Sequence, residues 1–590
     1  MSAEHHSGLS PAGARSGKLG IALSGGGFRA ALFHVGVLAR LAECDLLRHA
    51  SLISTVSGGS IIGAFYYLKL KQLLEGRRGD SLEPTAEGYR QLVREVEREF
   101  LEAMQHNVRM MAFADRRQNS RMLTSDYSPT QRLAELFNTY FFAPITSSEE
   151  NFLRDLPIRP APGLAVSATG GAAGSDSVAL PSLVLNATAL NTGHLFQFTG
   201  HHVGEPAVSS VAGGTQTIPL LPRLHVGDPT LTARQRARLE QITLGEAVAA
   251  SCCVPGLFEP LGLSGLYQDA DGGEVVVRLV DGGVFDNQGL VSLFEDGCTH
   301  FVCSDASELL QWQPKPLELI HNVAMRANDI MMDRIRTELL AELQLRSPEQ
   351  WAVFTLGEPD GSGAFGEEAG RFLRALKAIR TDLDAFTDLE AAALMYHGYM
   401  VSGHHLAPEE EAGGAAGGGG ALPEQWQFSA ISQLAGDTAE RARLLHHLDV
   451  GSRQFMKVFY LREPLPWIIV VLPTLIPVGF AVLLIYLLPP IPTSAWVVLG
   501  LIVLTAIAFV QNARIIEWLD QIEGFRLARH RLAVAFKPVG ITAFLGAIGA
   551  LATWINLQIF NRLFLRYGRM GGAGPLRLRE RGRDEPGASR

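Results

Sequence analysis

The sequence predicts a layered α/β domain followed by membrane helices, and three observations carry the prediction. Apolar strands at 19–23 and 50–56 each enter a glycine-rich turn, SGGG at Ser24 and SGGS at Ser57, and continue into helical spacing. Strand candidates recur at 182–186, 193–198, 275–280 and 300–303. From residue 467 onward the chain turns into long uncharged apolar runs.

Taken in order, residues 1–17 contain no long apolar core, do not read as a secretory signal, and form a flexible N-terminus. The first glycine turn opens a helix over 31–41, and the second opens the apolar helix that follows Ser60. The polar periodic stretch 89–140 reads mainly as helix. Segments near 167–177 and 408–421 are small-residue insertions, too poor in bulky apolar groups to offset the entropy of ordering them. The expected domain therefore runs over 18–460, with a membrane region at 461–562 and a basic tail at 563–590.

The membrane expectation rests on 467–488, 495–510 and 539–560, each near the length that crosses a hydrocarbon layer of about 30 Å. Pro473 and Pro477 are tolerable in such helices, and Gly540, Gly546 and Gly549 allow close helix approach. Two or three spans are expected. Three full spans would place two basic stretches, 514–537 and 562–590, on opposite sides, against the positive-inside rule.

At 590 residues with 47% hydrophobic and 19% charged residues, the chain is too long for one ordinary core and too apolar for wholesale disorder. Its net charge of -9 hides a balance of +7 from Arg514 onward and -16 before it, which argues against a general nucleic-acid groove. Five irregularly spaced Cys suit unpaired thiols in a reducing compartment. These features, with no export signal in the first 460 residues, put the large domain on the cytoplasmic side of a membrane.

The chemistry-bearing residues cluster in three places. At Ser24 the run SGGGFRA lets the main chain at Gly25, Gly26 and Gly27 approach a ligand at a helix start. Alone it also fits a G-x-G-x-x-A dinucleotide fingerprint or a bland tight turn. In STVSGGS, Ser57 sits at a strand-to-helix elbow followed by Gly58 and Gly59, so it is the nucleophile candidate. Thr55 stands where a G-x-S-x-G elbow has glycine, and Ser54 and Ser60 read as turn or capping hydroxyls. In DGGVFDNQG, Asp281 ends a strand before Gly282 and Gly283 and is the candidate general base. Asp271 reads as part of a polar hairpin connection, and Asp286 and Asn287 as loop-ordering groups.

These blocks together resemble the bacterial patatin-like phospholipases, over 18–305 and through 373–399 to about residue 400, with LNATALNTG at 185–193 and AVAASCCVPGLFEP at 247–260 as further family-like stretches. The resemblance implies a three-layer α/β fold and hydrolysis of acyl esters in membrane phospholipids. It implies a Ser–Asp dyad, Ser57 with Asp281, and an oxyanion hole at Gly25, Gly26 and Gly27. Gly58, Gly59, Gly282 and Gly283 support the two loops, and Arg29 orients the first loop or meets an anionic head group. Water is the implied acyl acceptor, acyl lipids the partners, and no cofactor, metal or nucleic acid is called for. A lipid acyltransferase and a catalytically weak membrane-anchored lipid-binding scaffold are the competing readings. Among 17 His, neither His34, His194 nor His300 stands in a relation to Ser57 that compels a triad, and neither the His pairs nor Cys252 with Cys253 form a metal spacing.

Overall fold

The computed structural model describes residues 17–114, 127–167, 177–206, 221–307, 310, 312–316, 320–347, 350–361, 363–406, 425–453, 457–461 and 553–570. Its frame is one mixed sheet of ten strands: β1 Leu19–Leu23, β2 Ala50–Val56, β3 Ser182–Ala189, β4 Leu195–Phe198, β5 His202–Gly204, β6 Leu224–His225, β7 Leu261–Gln268, β8 Glu274–Asp281, β9 His300–Asp305 and β10 Trp351–Thr355. The main path runs β10-β9-β1-β2-β3-β4-β5-β6; the strands from β10 to β3 are parallel and the later ones antiparallel.

β3 has a divided edge, and this detail positions the site. Its first half pairs with β2 up to Val56 opposite Asn186, and its last residues pair with β8, Asp281 lying opposite Ala187. The ends of β2 and β8 thus meet on adjacent residues of one neighbour strand.

The helices that bear on the site and its surroundings are α1 Gly27–Glu43, α2 Gly58–Leu74, α3 Ala86–Met104, α4 Leu244–Ser251, α5 Leu290–Glu295, α6 Ile320–Arg346, α7 Ala369–Ala378 and α8 Asp388–His405. Alternation along the strands divides their side chains between two cores. Leu19, Ile21, Leu23, Ala352 and Phe354 face the larger cluster with α1, α2, α3 and α8, whereas Ala22, Trp351 and Val353 face a smaller one with α5 and α6. Helices cover both faces, which is the expected three-layer α/β arrangement.

Capping explains where the helices begin. Thr85 accepts from Gly88 N to start α3, and Thr243 and Thr387 form capping boxes with Glu246 and Glu390 at α4 and α8. α1 and α8 cross with backbones in contact: a Cβ on Gly36 would lie 1.9 Å from Met395 O, and one on Gly398 would lie 2.2 Å from Phe33 O. At the start of α8 the chain's far end returns, Leu389 N donating to Gly568 O and Met570 N to the Asp388 carboxylate.

The chain forms two compact units, one of Met1–Ser452 with Leu565–Arg590 and one of Arg453–Phe564. In the second, the ring of Phe459 meets that of Phe560 edge-on at 5.0 Å. Among the described residues no helix is long and apolar enough to cross a membrane. The predicted spans 467–488 and 495–510 lie outside the described residues, as do all of 539–560 except 553–560, residues 1–16, and the insertions at 168–176 and 408–421. All five cysteines are buried free thiols, in keeping with the unpaired state expected.

Candidate active site

Ser57 occupies a strained turn. Between β2 and α2 it adopts φ 50 and ψ -118, a conformation that L residues avoid. Its N–H donates to Ser251 Oγ at 2.9 Å, and that hydroxyl donates to Asn186 O at 2.6 Å. The Asn186 amide in turn donates to Thr55 O and Ser54 Oγ. The turn is therefore held by α4 and β3 as well as by its own residues.

Glycine is required after Ser57 because the first turn of α2 presses on neighbouring backbone. A Cβ on Gly58 would lie 2.0 Å from Gly27 O, and one on Gly59 would lie 2.2 Å from Leu23 O. Thr55 fits where the elbow motif has glycine because the crowding has moved to Gly63, where a Cβ would lie 2.5 Å from Thr55 Cγ2. The Thr55 hydroxyl donates to Val184 O. Ser54 donates to Gly289 O, and Ser60 is linked to Thr55 and Ser251, so both hydroxyls are structural, as their sequence setting suggested.

Asp281 reaches Ser57 through the divided edge of β3. Its N–H donates to Cys253 O at 2.8 Å, and its carboxylate accepts from Gly283 N at 2.8 Å. It is 7% exposed, and burial pushes its carboxyl up to about 6, against the pull of the Gly283 amide and the facing Ser57 hydroxyl. Gly282 has no room for a Cβ, which would lie 2.3 Å from Asn186 O. Asp271 sits in the exposed β7–β8 hairpin turn, and Asp286 accepts from the amides of Gln288, Gly289 and Val291.

Gly26 and Gly27, at φ 134 and φ 57, form the turn that enters the 17-residue helix α1. The Gly25 amide is occupied by Asn287 O at 3.0 Å, and the Phe28 amide by Asp382 O at 3.0 Å. Among the described residues the Gly26 and Gly27 amides have no acceptor, in contrast to that of Gly25. The positive end of the helix dipole adds to them. Arg29 lines the cavity while only 1% exposed, and it donates to the carbonyls of Lys377, Ile379 and Ala306.

Ser57, Asp281 and the glycine loop face one cavity of about 380 Å³, lined also by Asn287 and Asp382, with Leu257, Phe258, Leu310 and Met332 as apolar wall. Among the described residues no histidine lines it. His34 is fully buried, bonded to Ser304 Oγ and Ser24 O, and burial lowers its imidazole to about 4. His194 bonds Glu205 and His300 bonds Thr299. Cys252 lies at the cavity floor, its thiol raised well above the ordinary range by burial. Ser251, Asn186 and Asp382 lie in family-like stretches but were not singled out as site residues: each acts through a contact with chain far away in sequence.

A serine on a strained elbow and a buried carboxylate thus line one cavity beside a glycine loop. Residues 21–293 match the model of a family described as patatin-like phospholipase, which is under half of the chain and supports a lipid acyl hydrolase. Among solved structures, the chain is similar to human GIVD cytosolic phospholipase A2 in complex with methyl gamma-linolenyl fluorophosphonate. Identity there is 15% over 74% of this chain and 60% of that one, with a TM-score of 0.35. For a further structure of human GIVD cytosolic phospholipase A2 the values are 14%, 72%, 61% and 0.36. The chain is also similar to VipD from Legionella pneumophila, at 12% identity over 93% of this chain and 92% of that one, with a TM-score of 0.25. The chain thus spans about 60% of the length of the human phospholipase. No curated protein matches it.

Proposed function

We propose that the protein hydrolyses acyl esters of lipids, membrane phospholipids foremost, through an acyl-serine formed by the Ser57–Asp281 dyad. The observation that carries this reading is the end-to-end placement of β2 and β8 along β3, which brings Ser57 and Asp281 into one cavity with the two free amides. The Asp281 carboxylate takes the Ser57 proton as Oγ attacks the ester carbonyl, and the tetrahedral oxyanion forms at the Gly26 and Gly27 amides. Collapse expels the lysolipid alkoxide, which takes the proton from Asp281. Water then adds to the acyl-serine by the same route, with Asp281 again as base, releasing fatty acid and restoring Ser57. The membrane region at 461–562 would keep the domain at its substrate at the cytoplasmic face.

The test is mass-spectrometric product analysis of the full-length protein with mixed phospholipids beside Ser57→Ala. Fatty acid and lysolipid from the wild type and none from the variant support the proposal. Equal product from both, or none from either, sinks it. Fractionation of a tagged full-length chain, with the tag's accessibility to protease, tests the attachment and its sidedness.

A further inference from the structure

The glycine loop is held from inside the family-matched span by Asn287 and Gly59 and from outside it by the chain that follows α7. Gly25 N donates to Asn287 O, inside 21–293. On the other side Phe28 N donates to Asp382 O at 3.0 Å, and the Arg29 guanidinium donates to Lys377 O at 3.0 Å and Ile379 O at 3.2 Å. Gly27 lies so close to Asp382 that a Cβ there would be 2.8 Å from the Asp382 amide nitrogen.

The connection between α7 and α8 that provides these groups is itself pinned by buried charge. Arg380, 4% exposed, donates to Asp384 at 2.9 Å, to Glu390 at 2.6 Å and to the carbonyls of Ala385 and Gly451. The Asn107 amide donates to the second Asp384 oxygen at 2.6 Å, and Arg109 N donates to Leu383 O. At the cavity wall the Arg109 guanidinium pairs with the Asp382 carboxylate. A buried ion network with its remaining hydrogen bonds made holds one geometry, because losing a partner strands a charge in the interior.

We propose that the connection from Ile379 to Asp384 is a clasp that sets where the Gly26 and Gly27 amides stand, with Arg29 and Asp382 as positioning residues. The inference rests on the reading of those amides as oxyanion donors. Glycines at positive φ have the widest conformational range of any residue, and with ties only at Ser24 and Gly25 the Gly26–Gly27 peptide would keep that range. Oxyanion donors work because they are placed before the charge develops. The clasp supplies that placement from a part of the chain the family match does not reach.

The test uses the full chain with Arg29→Met, Arg29→Lys and Asp382→Asn. It measures kcat and KM on a soluble p-nitrophenyl acyl ester, and amide hydrogen exchange of a peptide covering 24–30. Arg29→Met is expected to lower kcat about 100-fold, the cost of a misplacement near 1 Å. KM should stay within about threefold, the mark of a transition-state contact. Exchange over 24–30 should quicken while that over 92–104 stays as in the wild type, and Arg29→Lys should recover part of both effects. If Arg29→Met does not fold, Asp382→Asn, which breaks only the Arg109 pair, decides by the same two readouts. Unchanged exchange over 24–30 in a folded variant overturns the clasp whatever turnover does, and a rise in KM with kcat intact overturns it in favour of a head-group contact. A wild type inactive on every ester would defeat the hydrolase reading, and exchange would still decide the clasp.

Discussion

Asp281 is where the proposed mechanism can be most sharply broken. Its carboxyl is raised from 3.8 to about 6 by burial. A shift of about two units corresponds to roughly 3 kcal/mol of preference for the neutral form. Below about pH 4 the group is protonated whether the chain is folded or unfolded, and its favourable contribution is fully present. Between about pH 4 and pH 6 the unfolded chain gives up the proton before the fold does, so the contribution is lost as pH rises through the folded value. Asp281→Asn removes this dependence, and the variant should gain up to about 3 kcal/mol on the wild type between pH 4 and pH 7. Asp286 is also raised to about 6, so the comparison with the variant is what isolates Asp281.

Turnover should run the opposite way, because the ionised carboxylate is the base. The acid limb of kcat/KM should have its midpoint near 6, leaving about a tenth of plateau activity at pH 5, and Asp281→Asn should abolish turnover. Melting temperatures and urea midpoints across the pH range, together with the rate profile, make the assay. A midpoint near 4, or a wild-type stability profile parallel to that of the variant, would refute the assignment.

Ser57→Gly should raise stability by about 1–2 kcal/mol in urea titration, since glycine adopts the positive φ without strain, whereas Ser57→Ala should not. Ser251→Ala leaves the Ser57 amide without its acceptor, so it should cost about 1–3 kcal/mol and lower kcat with the elbow loosened. Gly36→Ala forces a Cβ into the Met395 carbonyl and should lower the melting temperature, with a loss of about 1–3 kcal/mol or more and reduced soluble yield.

Much of this architecture was legible because the relevant patterns are local. Strand character at 19–23, 50–56, 182–186 and 300–303 falls within β1, β2, β3 and β9, and the glycine turns mark where α1 and α2 begin. Ser57 stood out because the strand, serine and two glycines are contiguous, and Asp281 because a strand ends on it. What could not be read was how separate pieces meet. No pattern in the sequence shows that β2 and β8 share an edge of β3. None shows that Asp382, over 350 residues from Phe28, supplies its hydrogen-bond acceptor. Gly25 looked equivalent to its neighbours, and only the fold shows its amide already occupied by Asn287. Arg29 read as orienting either the loop or a head group, and only the fold shows its guanidinium donating to the Lys377 and Ile379 carbonyls.

The return of the chain at Gly568 and Met570 onto the first turn of α8 makes the stretch 453–564 a loop closed at both ends. After one peptide-bond cut within it, the piece ending in the tail would still hydrogen-bond the start of α8 through Gly568 and Met570. Two cuts are needed to detach the stretch. A truncation before residue 565 that looks like removal of an appendage would also take away the groups resting on the start of α8.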